Sequence, residues 1–307
     1  MRIVFMGTPD FAVPTLRRLA ATPGFEVTGV VCQPDRPAGR GGQLRAPAVK
    51  AAAGELGLAV YQPLRMRGEE PLAWLRGQRP DVLTVVAFGQ LLPPAVFELP
   101  RWGAINAHAS LLPAYRGAAP IQWAIANGNS VTGVTTMQID AGLDTGAMLE
   151  QQSLGIGEDE TAPGLSARLA EMAAELMVST LHGLEAGRLT ARAQAEGASL
   201  APLLTRGDGR ADWSASAQDL YNRWRGFQPW PGLHTTFRGK QLSVVRCRPT
   251  GGTATPGALV ERDGSPAVGC GEGLLVLEEV RLEGKQAVRG ADFARGARVT
   301  WGQETLD

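Results

Sequence analysis

Residues 102–120 have the sequence WGAINAHASLLPAYRGAAP, in which a short apolar run is followed at once by a polar loop. The run 103–106 predicts a buried strand of a parallel sheet, because small and apolar residues suit a strand covered on both faces. Side chains two positions apart along a strand share a face, so Asn106 and His108 are expected to point the same way at the end of this strand. Ligands of open parallel sheets bind beyond the carboxyl ends of the strands. A carboxamide and an imidazole placed there can hold a carbonyl oxygen and move a proton.

A second polar loop follows the next predicted strand, Val131–Ile139, which is rich in β-branched residues. This loop, QIDAGLDTG at 138–146, carries Asp140 and Asp144 between glycines that permit a tight turn. An aspartate in this loop is expected to reach the His108 side chain. The alternative is that both aspartates serve ordinary turn chemistry and that His108 is a polar residue closing a strand.

The rest of the chain predicts an α/β fold class: a Rossmann-like, doubly wound, mostly parallel sheet domain followed by a small OB-like β-barrel domain. Apolar strands alternate with helical periodicity from the first residue onward, which indicates βαβ units. After residue 230, short strands and turns follow one another closely, as in a small barrel. Because 307 residues suggest two domains, we expect a domain at 1–188, a linker at 189–206 and a second domain at 207–307. Helices are predicted at Ala12–Ala21, Pro47–Leu56, Glu69–Arg79, Ala118–Asn127, 161–186 and Ala217–Phe227.

Composition and spacing exclude several classes of protein. The formal net charge is zero, so no global field indicates a nucleic-acid partner. The three cysteines are scattered without metal or disulfide spacing, which predicts no metal site and suits a reducing cytoplasm. No apolar run reaches the length of a membrane span, and no signal segment precedes the first strand. The glycine-rich fingerprint GxGxxG is absent after that strand, which argues against a dinucleotide-dependent oxidoreductase.

Residues 34–50, PDRPAGRGGQLRAPAVK, predict a long basic loop. Against the single acid Asp35, this segment carries four cations, which are Arg36, Arg40, Arg45 and Lys50. A loop of this length inside a compact domain is usually functional or disordered. One interpretation is that it binds RNA phosphates or base edges, and the other is that it is a solvated surface loop.

The two segments NAHASLLPAYRGAAPIQWAI at 106–125 and GVTTMQIDAGLDTGAML at 133–149 resemble the 10-formyltetrahydrofolate-dependent formyltransferases. Residue type and spacing agree over some forty positions. The resemblance implies that Asn106, His108 and Asp144 are the catalytic residues. It also implies a folate-binding set, which comprises Phe88, Gly89, Ser110, Leu111, Leu112, Pro113 and Asp140. The residues 7–11, 34–50 and 205–231 are similar to the branch of this family that acts on methionyl-tRNA.

That resemblance implies transfer of the formyl group of 10-formyltetrahydrofolate to the α-amino group of methionyl initiator tRNA, in the cytoplasm and without a metal. Arg36, Arg40 and Arg45 would then contact the tRNA acceptor stem, and the C-terminal domain would also bind tRNA. No membrane and no obligate protein partner is expected. Three alternatives remain open at this point: a folate-dependent formyltransferase acting on a small amine, a formyl hydrolase acting with water, and a non-catalytic RNA-binding protein.

Overall fold

The computed structural model describes residues 1–38 and 43–307. Contacts between residues divide the chain into two compact units. The first unit comprises 1–120, 131–155 and 166–202, and the second comprises 121–130, 156–165 and 203–307. Both units are therefore assembled from segments that are not continuous in sequence.

The first unit contains a seven-stranded sheet with helices between its strands. The strands are β1 (Arg2–Gly7), β2 (Glu26–Val31), β5 (Val60–Tyr61), β6 (Val82–Val86), β7 (Ala104–His108), β8 (Val131–Gln138) and β9 (Met148–Gly155). A separate hairpin is formed by β3 (Arg36–Ala38) and β4 (Gln43–Arg45). The helices are α1 (Val13–Ala21), α2 (Ala48–Glu55), α3 (Glu69–Gln78) and α4 (Pro94–Phe97), and α6 (Ala162–Glu185) continues from the second unit into the first.

The strand order of this sheet is β5-β2-β1-β6-β7-β8-β9. The first five strands of that order pair in parallel, and β8 and β9 are antiparallel additions beyond β7. From β1 the chain adds β2 and β5 on one side of β1, and it then returns to form β6 on the other side of β1. The direction of winding therefore reverses between β1 and β6. Every side chain of β6 is buried, as expected for a strand covered on both faces. The predicted Rossmann-like, mostly parallel sheet is confirmed.

The second unit contains the helices α5 (Pro120–Ala126), which begins at the boundary of the unit, and α7 (Ala217–Gly226). An antiparallel sheet follows α7 in the chain. Its strands are β10 (Leu233–Phe237), β11 (Lys240–Thr250), β12 (Leu259–Arg262), β13 (Ser265–Gly269), β14 (Leu274–Leu282) and β15 (Val288–Arg289), and α8 (Gly290–Ala297) follows the last strand. The order is β10-β11-β14-β13-β12, with β15 paired to β14. Leu220 of α7, Leu242 of β11 and Phe293 of α8 are buried in one hydrophobic core. The predicted small β domain at the C-terminus is confirmed.

Several elements differ from the sequence prediction. The strand β9 was not predicted, because its residues EQQSLG are polar and mostly exposed and so lack apolar alternation. The segment 34–50 is not one long loop, since β3 and β4 pair within it. The helix α8 was also missed, because GADFARGA contains two glycines, which disfavour a helix.

Within residues 1–38 and 43–307, no helix has both the length and the apolar character needed to cross a bilayer. Over the same described ranges, no three His, Cys, Asp or Glu side chains are grouped in a way that could hold a metal ion. The thiols of Cys32, Cys247 and Cys270 are buried and free.

Candidate functional site

The strand β7 presents Asn106 and His108 on one face, as their spacing requires. Asn106 is half-buried, and its carboxamide forms no hydrogen bond with any residue that the structure describes. The His108 side chain is 6% exposed. One amide with free donors therefore lies beside one nearly enclosed imidazole.

Both ring nitrogens of His108 face oxygen atoms. Nε2 lies 2.8 Å from the carbonyl oxygen of Tyr115, which can only accept a hydrogen bond, so Nε2 carries a proton and donates it. Nδ1 lies 3.7 Å from Oδ2 of Asp144, which is longer than a hydrogen bond. In the neutral ring, Nδ1 therefore has a free lone pair, and a carboxylate stands close by.

Asp144 reaches His108 only because its loop turns back along the sheet. The strand β8 runs antiparallel to β7, so Gln138 at its end lies opposite Ile105 rather than His108. The loop after β8 must return along β7 by about three residues, or roughly 10 Å. Asp144 adopts a left-handed backbone conformation at φ 51°, which Asp tolerates better than most residues. Its Oδ2 also accepts a hydrogen bond from the Gly117 amide at 2.8 Å.

The segment Ser110–Pro113 is attached to the antiparallel edge of the sheet. The buried hydroxyl of Thr135 on β8 donates to the Ser110 carbonyl at 2.7 Å and accepts from the Leu112 amide at 3.1 Å. Gln151 on β9 donates to the Leu112 carbonyl at 2.8 Å. The Leu112–Pro113 peptide bond is cis. Leu112 is buried, whereas Leu111 and Pro113 remain half-buried and keep accessible apolar surface.

Asp140 forms no hydrogen bond or ion pair with His108. Its Oδ1 accepts hydrogen bonds from the Gly142 amide at 3.0 Å and from the Thr145 hydroxyl at 2.7 Å. The first of these bonds is that of an Asx turn, and the second ties the Asp140 side chain across the loop to Thr145. Of the two predicted aspartates, Asp144 therefore meets His108, and Asp140 shapes the loop that brings it there.

Phe88 and Gly89 follow β6 at the point where the winding of the sheet reverses. The Phe88 carbonyl accepts from the Thr8 hydroxyl at 2.8 Å, and the Gly89 carbonyl accepts from Gln33 at 2.8 Å. They line a cavity of about 830 Å³, whose wall also includes Arg36 and Arg45 of the β3–β4 hairpin. The structure thus brings two predicted folate residues and two predicted tRNA residues to one cavity.

Arg36 and Arg45 are direct partners across the β3–β4 hairpin. Both are exposed, and neither forms an ion pair within the described part of the chain. The nearby Asp35 carboxylate is already engaged by Gln62 at 2.8 Å and by Lys50 at 2.8 Å, and these hydrogen bonds lower its pKa. Two adjacent arginines are therefore left without a compensating acid. Arg40 lies outside the described residues.

Two family models match this sequence. The model described as formyl transferase covers residues 1–181, and the model described as formyl transferase, C-terminal domain, covers residues 203–298. This chain belongs to the formyl transferase family. The first match includes Asn106, His108 and Asp144.

Relatives of this formyl transferase are similar over almost the whole length. A protein of Solibacter usitatus (strain Ellin6076) named methionyl-tRNA formyltransferase is 52% identical, with 98% of this chain and 97% of that protein covered. A protein of the same name from Geobacter metallireducens (strain ATCC 53774 / DSM 7210 / GS-15) is 48% identical, with 97% and 96% covered. The similarity therefore extends through both family matches.

Solved structures share the fold of this formyl transferase at low identity. WlaRD, a sugar 3N-formyl transferase crystallised in the presence of dTDP and 5-N-formyl-THF, aligns with a TM-score of 0.67 at 15% identity, covering 93% of this chain and 99% of that chain. HypX from Aquifex aeolicus, in complex with tetrahydrofolic acid, aligns with a TM-score of 0.62 at 17% identity, covering 96% and 47%. These two likenesses concern the fold alone.

Some residues around this candidate site were not singled out by sequence reasoning. Thr135 and Gln151 anchor the segment after His108, and Gln194 contacts the Asp144 loop. Thr135 lies in a strand that was predicted, so its burial could have been anticipated from the β8 pattern. Gln194 lies in the predicted linker, where no periodicity distinguishes it from its neighbours.

Proposed function

We propose that this chain transfers the formyl group of 10-formyltetrahydrofolate to the free α-amino group of methionyl initiator tRNA, giving N-formylmethionyl-tRNA for translation initiation. The observation that carries the chemistry is that Asn106, with its unbonded carboxamide, shares one face of β7 with His108, whose ring lies 3.7 Å from the Asp144 carboxylate. The choice of acceptor is supported by relatives named methionyl-tRNA formyltransferase, which are 43–52% identical over nearly the full chain.

In the proposed reaction, Asn106 stabilises the negative charge that builds on the formyl oxygen. Its amide hydrogens are available because no described residue accepts them. A donor already oriented before the reaction costs no reorganisation when the charge appears, and one such donor contributes about 3 kcal/mol. Asn106 is therefore assigned the oxyanion-binding role.

His108 and Asp144 are proposed to remove the proton of the attacking amine. Since Nε2–H is held by the Tyr115 carbonyl, the lone pair on Nδ1 is the site that accepts the proton. The Asp144 carboxylate, 3.7 Å away, stabilises the imidazolium that results. The new bond joins the amine nitrogen to the formyl carbon, the bond from that carbon to N10 breaks, and N10 takes up one proton.

The folate-binding set suits a flat ring system with apolar faces and polar edges. Leu111 and Pro113 offer accessible apolar surface beside His108, and Leu143, next to Asp144, is 55% exposed. We propose that these residues, with Phe88, Gly89 and the turn formed by Asp140, hold the formyl donor. Ser110 and Leu112 act by fixing the segment, because their polar groups are bonded to Ala114, Thr135 and Gln151.

The segment 34–50 is proposed to contact the acceptor stem of the tRNA through Arg36, Arg40 and Arg45. Like charges placed directly opposite each other on paired strands destabilise the pair, so Arg36 and Arg45 favour an anionic partner. Phosphates of the tRNA would supply that charge. The hairpin also borders the cavity at Phe88 and Gly89, next to the proposed formyl donor.

A C-terminal tRNA-binding domain at 207–307, joined by a linker at 189–206 to a catalytic domain at 1–188, is part of the same proposal. A surface hollow of about 240 Å³ in the second unit is lined by Arg206, the last residue of that linker, and by Arg281 and Glu283. Burial, together with the charges of Arg206 and Arg210, lowers the pKa of His234. The arginines at positions 206, 210 and 281 suit a second set of phosphate contacts. We also propose a cytoplasmic location, where initiator tRNA enters translation.

The function is tested by single-turnover transfer from 10-formyltetrahydrofolate to methionyl initiator tRNA. Parallel reactions contain methionyl elongator tRNA, uncharged initiator tRNA and free methionine. Formylation confined to the charged initiator tRNA is expected. Release of formate in every reaction would instead identify a hydrolase, and transfer to small amines with no transfer to tRNA would identify a different acceptor class.

Substitution of the hairpin arginines is expected to weaken tRNA use without slowing chemistry. In Arg36→Gln and Arg45→Gln, the KM for methionyl initiator tRNA should rise several-fold, and the slope of log KM against log salt should fall by about one for each phosphate contact removed. The kcat should stay unchanged. Steady-state kinetics from low to moderate salt provide the measurement.

The matched control for the hairpin is Arg188→Gln, which removes one exposed positive charge after α6. It is expected to leave the salt dependence of KM unaltered. Equal slopes in the wild type, Arg36→Gln and Arg45→Gln would rule out phosphate contacts by these two arginines.

A further inference from the structure

The segment 192–201 lies along both loops that build the site. At one end, Arg192 and Met148 exchange two backbone hydrogen bonds of 2.8 Å, directly after the Asp144 loop. At the other end, the Arg116 amide donates to Ser199 at 2.9 Å, and the Ala201 amide donates to Arg116 at 2.7 Å. The predicted linker is therefore joined by backbone hydrogen bonds to the end of the Asp144 loop and to the turn after His108.

Gln194 lies between these two attachment points and uses its whole hydrogen-bonding capacity there. Its Nε2 donates to the carbonyl of Asp144 at 2.8 Å and to that of Gly146 at 2.9 Å. Its Oε1 accepts from Nε of Arg116 at 3.0 Å and from Nη2 at 2.7 Å. Two donors and two acceptor positions are all that a carboxamide offers. In the stretch 190–200, Gln194 alone is half-buried.

The two carbonyls that Gln194 holds belong to the loop that carries the Asp144 side chain, and one of them is the carbonyl of Asp144 itself. Asp144 has a left-handed backbone, and its peptide orientation is therefore not the one that an extended chain adopts on its own. At Gly146 a Cβ atom would lie 1.8 Å from the Gln138 carbonyl oxygen, so the loop backbone packs directly against the end of β8 there. The Asp144 carboxylate meets His108 and the Gly117 amide from this position.

We propose that Gln194, itself oriented by the Arg116 guanidinium, is a positioning residue for the Asp144 carboxylate during formyl transfer. This inference rests on the proposed function, in which Asp144 stabilises the charged His108 ring. Gln194 touches no reacting atom. It acts by holding the backbone from which the carboxylate extends, and displacement of a catalytic group by about 1 Å costs up to roughly 100-fold in rate.

The test compares Gln194→Ala and Gln194→Glu with the wild type in single-turnover transfer to methionyl initiator tRNA. Glu keeps an acceptor for Arg116 but offers no N–H to the two loop carbonyls, so it removes the proposed contact while preserving side-chain size. Both variants should lower the rate of transfer roughly 10- to 100-fold. The KM for 10-formyltetrahydrofolate should change less than about twofold, since Gln194 lies outside the proposed folate set.

A double-mutant cycle separates positioning from general stability. In the Asp144→Asn background, Gln194→Ala should cost almost nothing further, because the charge that it positions is gone. Glu196→Ala, an exposed change two positions along the same segment, should match the wild type. Equal losses from Gln194→Ala in both backgrounds would overturn the inference, as would wild-type rates in Gln194→Glu.

The same experiment separates failure of the inference from failure of the function. If the wild type formylates methionyl initiator tRNA and both Gln194 variants do so equally well, the inference is wrong and the function stands. If the wild type transfers no formyl group to any methionyl-tRNA, the proposed function is wrong, and the inference is overturned with it.

Discussion

Replacement of Asn106 by alanine is expected to lower the kcat of formyl transfer by about 10²–10³-fold, the effect of removing one oriented oxyanion donor. The substitution should leave the fold intact, because the Asn106 carboxamide has no hydrogen-bond partner among the described residues. Its loss therefore leaves no buried polar group without a partner. KM for both substrates should change little, since the lost interaction strengthens only as charge develops. Steady-state kinetics, single-turnover rates and thermal melting of the purified variant provide the measurements.

The matched control is Gln152→Ala, which removes an exposed carboxamide from β9. It is expected to retain the wild-type rate, so that a loss in Asn106→Ala is not the general effect of deleting an amide from this sheet. A folded Asn106→Ala variant with a kcat within threefold of the wild type would contradict the oxyanion assignment.

Asp144→Asn is expected to reduce kcat by about 10²–10⁴-fold, in the range associated with acid–base catalysis. Asparagine keeps an oxygen for the Gly117 amide and tolerates the left-handed backbone, so the turn should be preserved. Only the negative charge near Nδ1 of His108 is removed, and the imidazolium formed during the reaction loses its stabilising partner. Rates measured across pH, with melting curves at each pH, provide the comparison.

The control is Asp263→Asn, the same chemical change at another left-handed aspartate, φ 50°, between β12 and β13. It tests whether loss of a carboxylate from a strained turn is itself harmful, and it should leave kcat unchanged. If Asp144→Asn retained full activity while remaining folded, the partnership of Asp144 with His108 would have no part in the reaction.

Much of the fold was predictable because its signals are local. The strand β6 is a continuous apolar run, and all five of its side chains are buried. The helix α6 follows the predicted periodicity to within one residue at either end. The strand β9 and the β3–β4 hairpin could not be anticipated in this way, because polar residues form strands there only when a neighbouring strand supplies the hydrogen bonds.

The sequence by itself determined that Asn106 and His108 share a face, because side chains two apart on any strand do so. It also determined the family, since the residue types around those two positions are specific. The family resemblance implied that Asp144 is catalytic, but only the tertiary structure shows that Asp144, rather than Asp140, lies beside His108 and that Gln194 holds its loop. The reason is physical: β8 is antiparallel, so the loop after it must fold back along β7. The path of that return depends on hydrogen bonds to Gly117 and Gln194, which are distant in sequence.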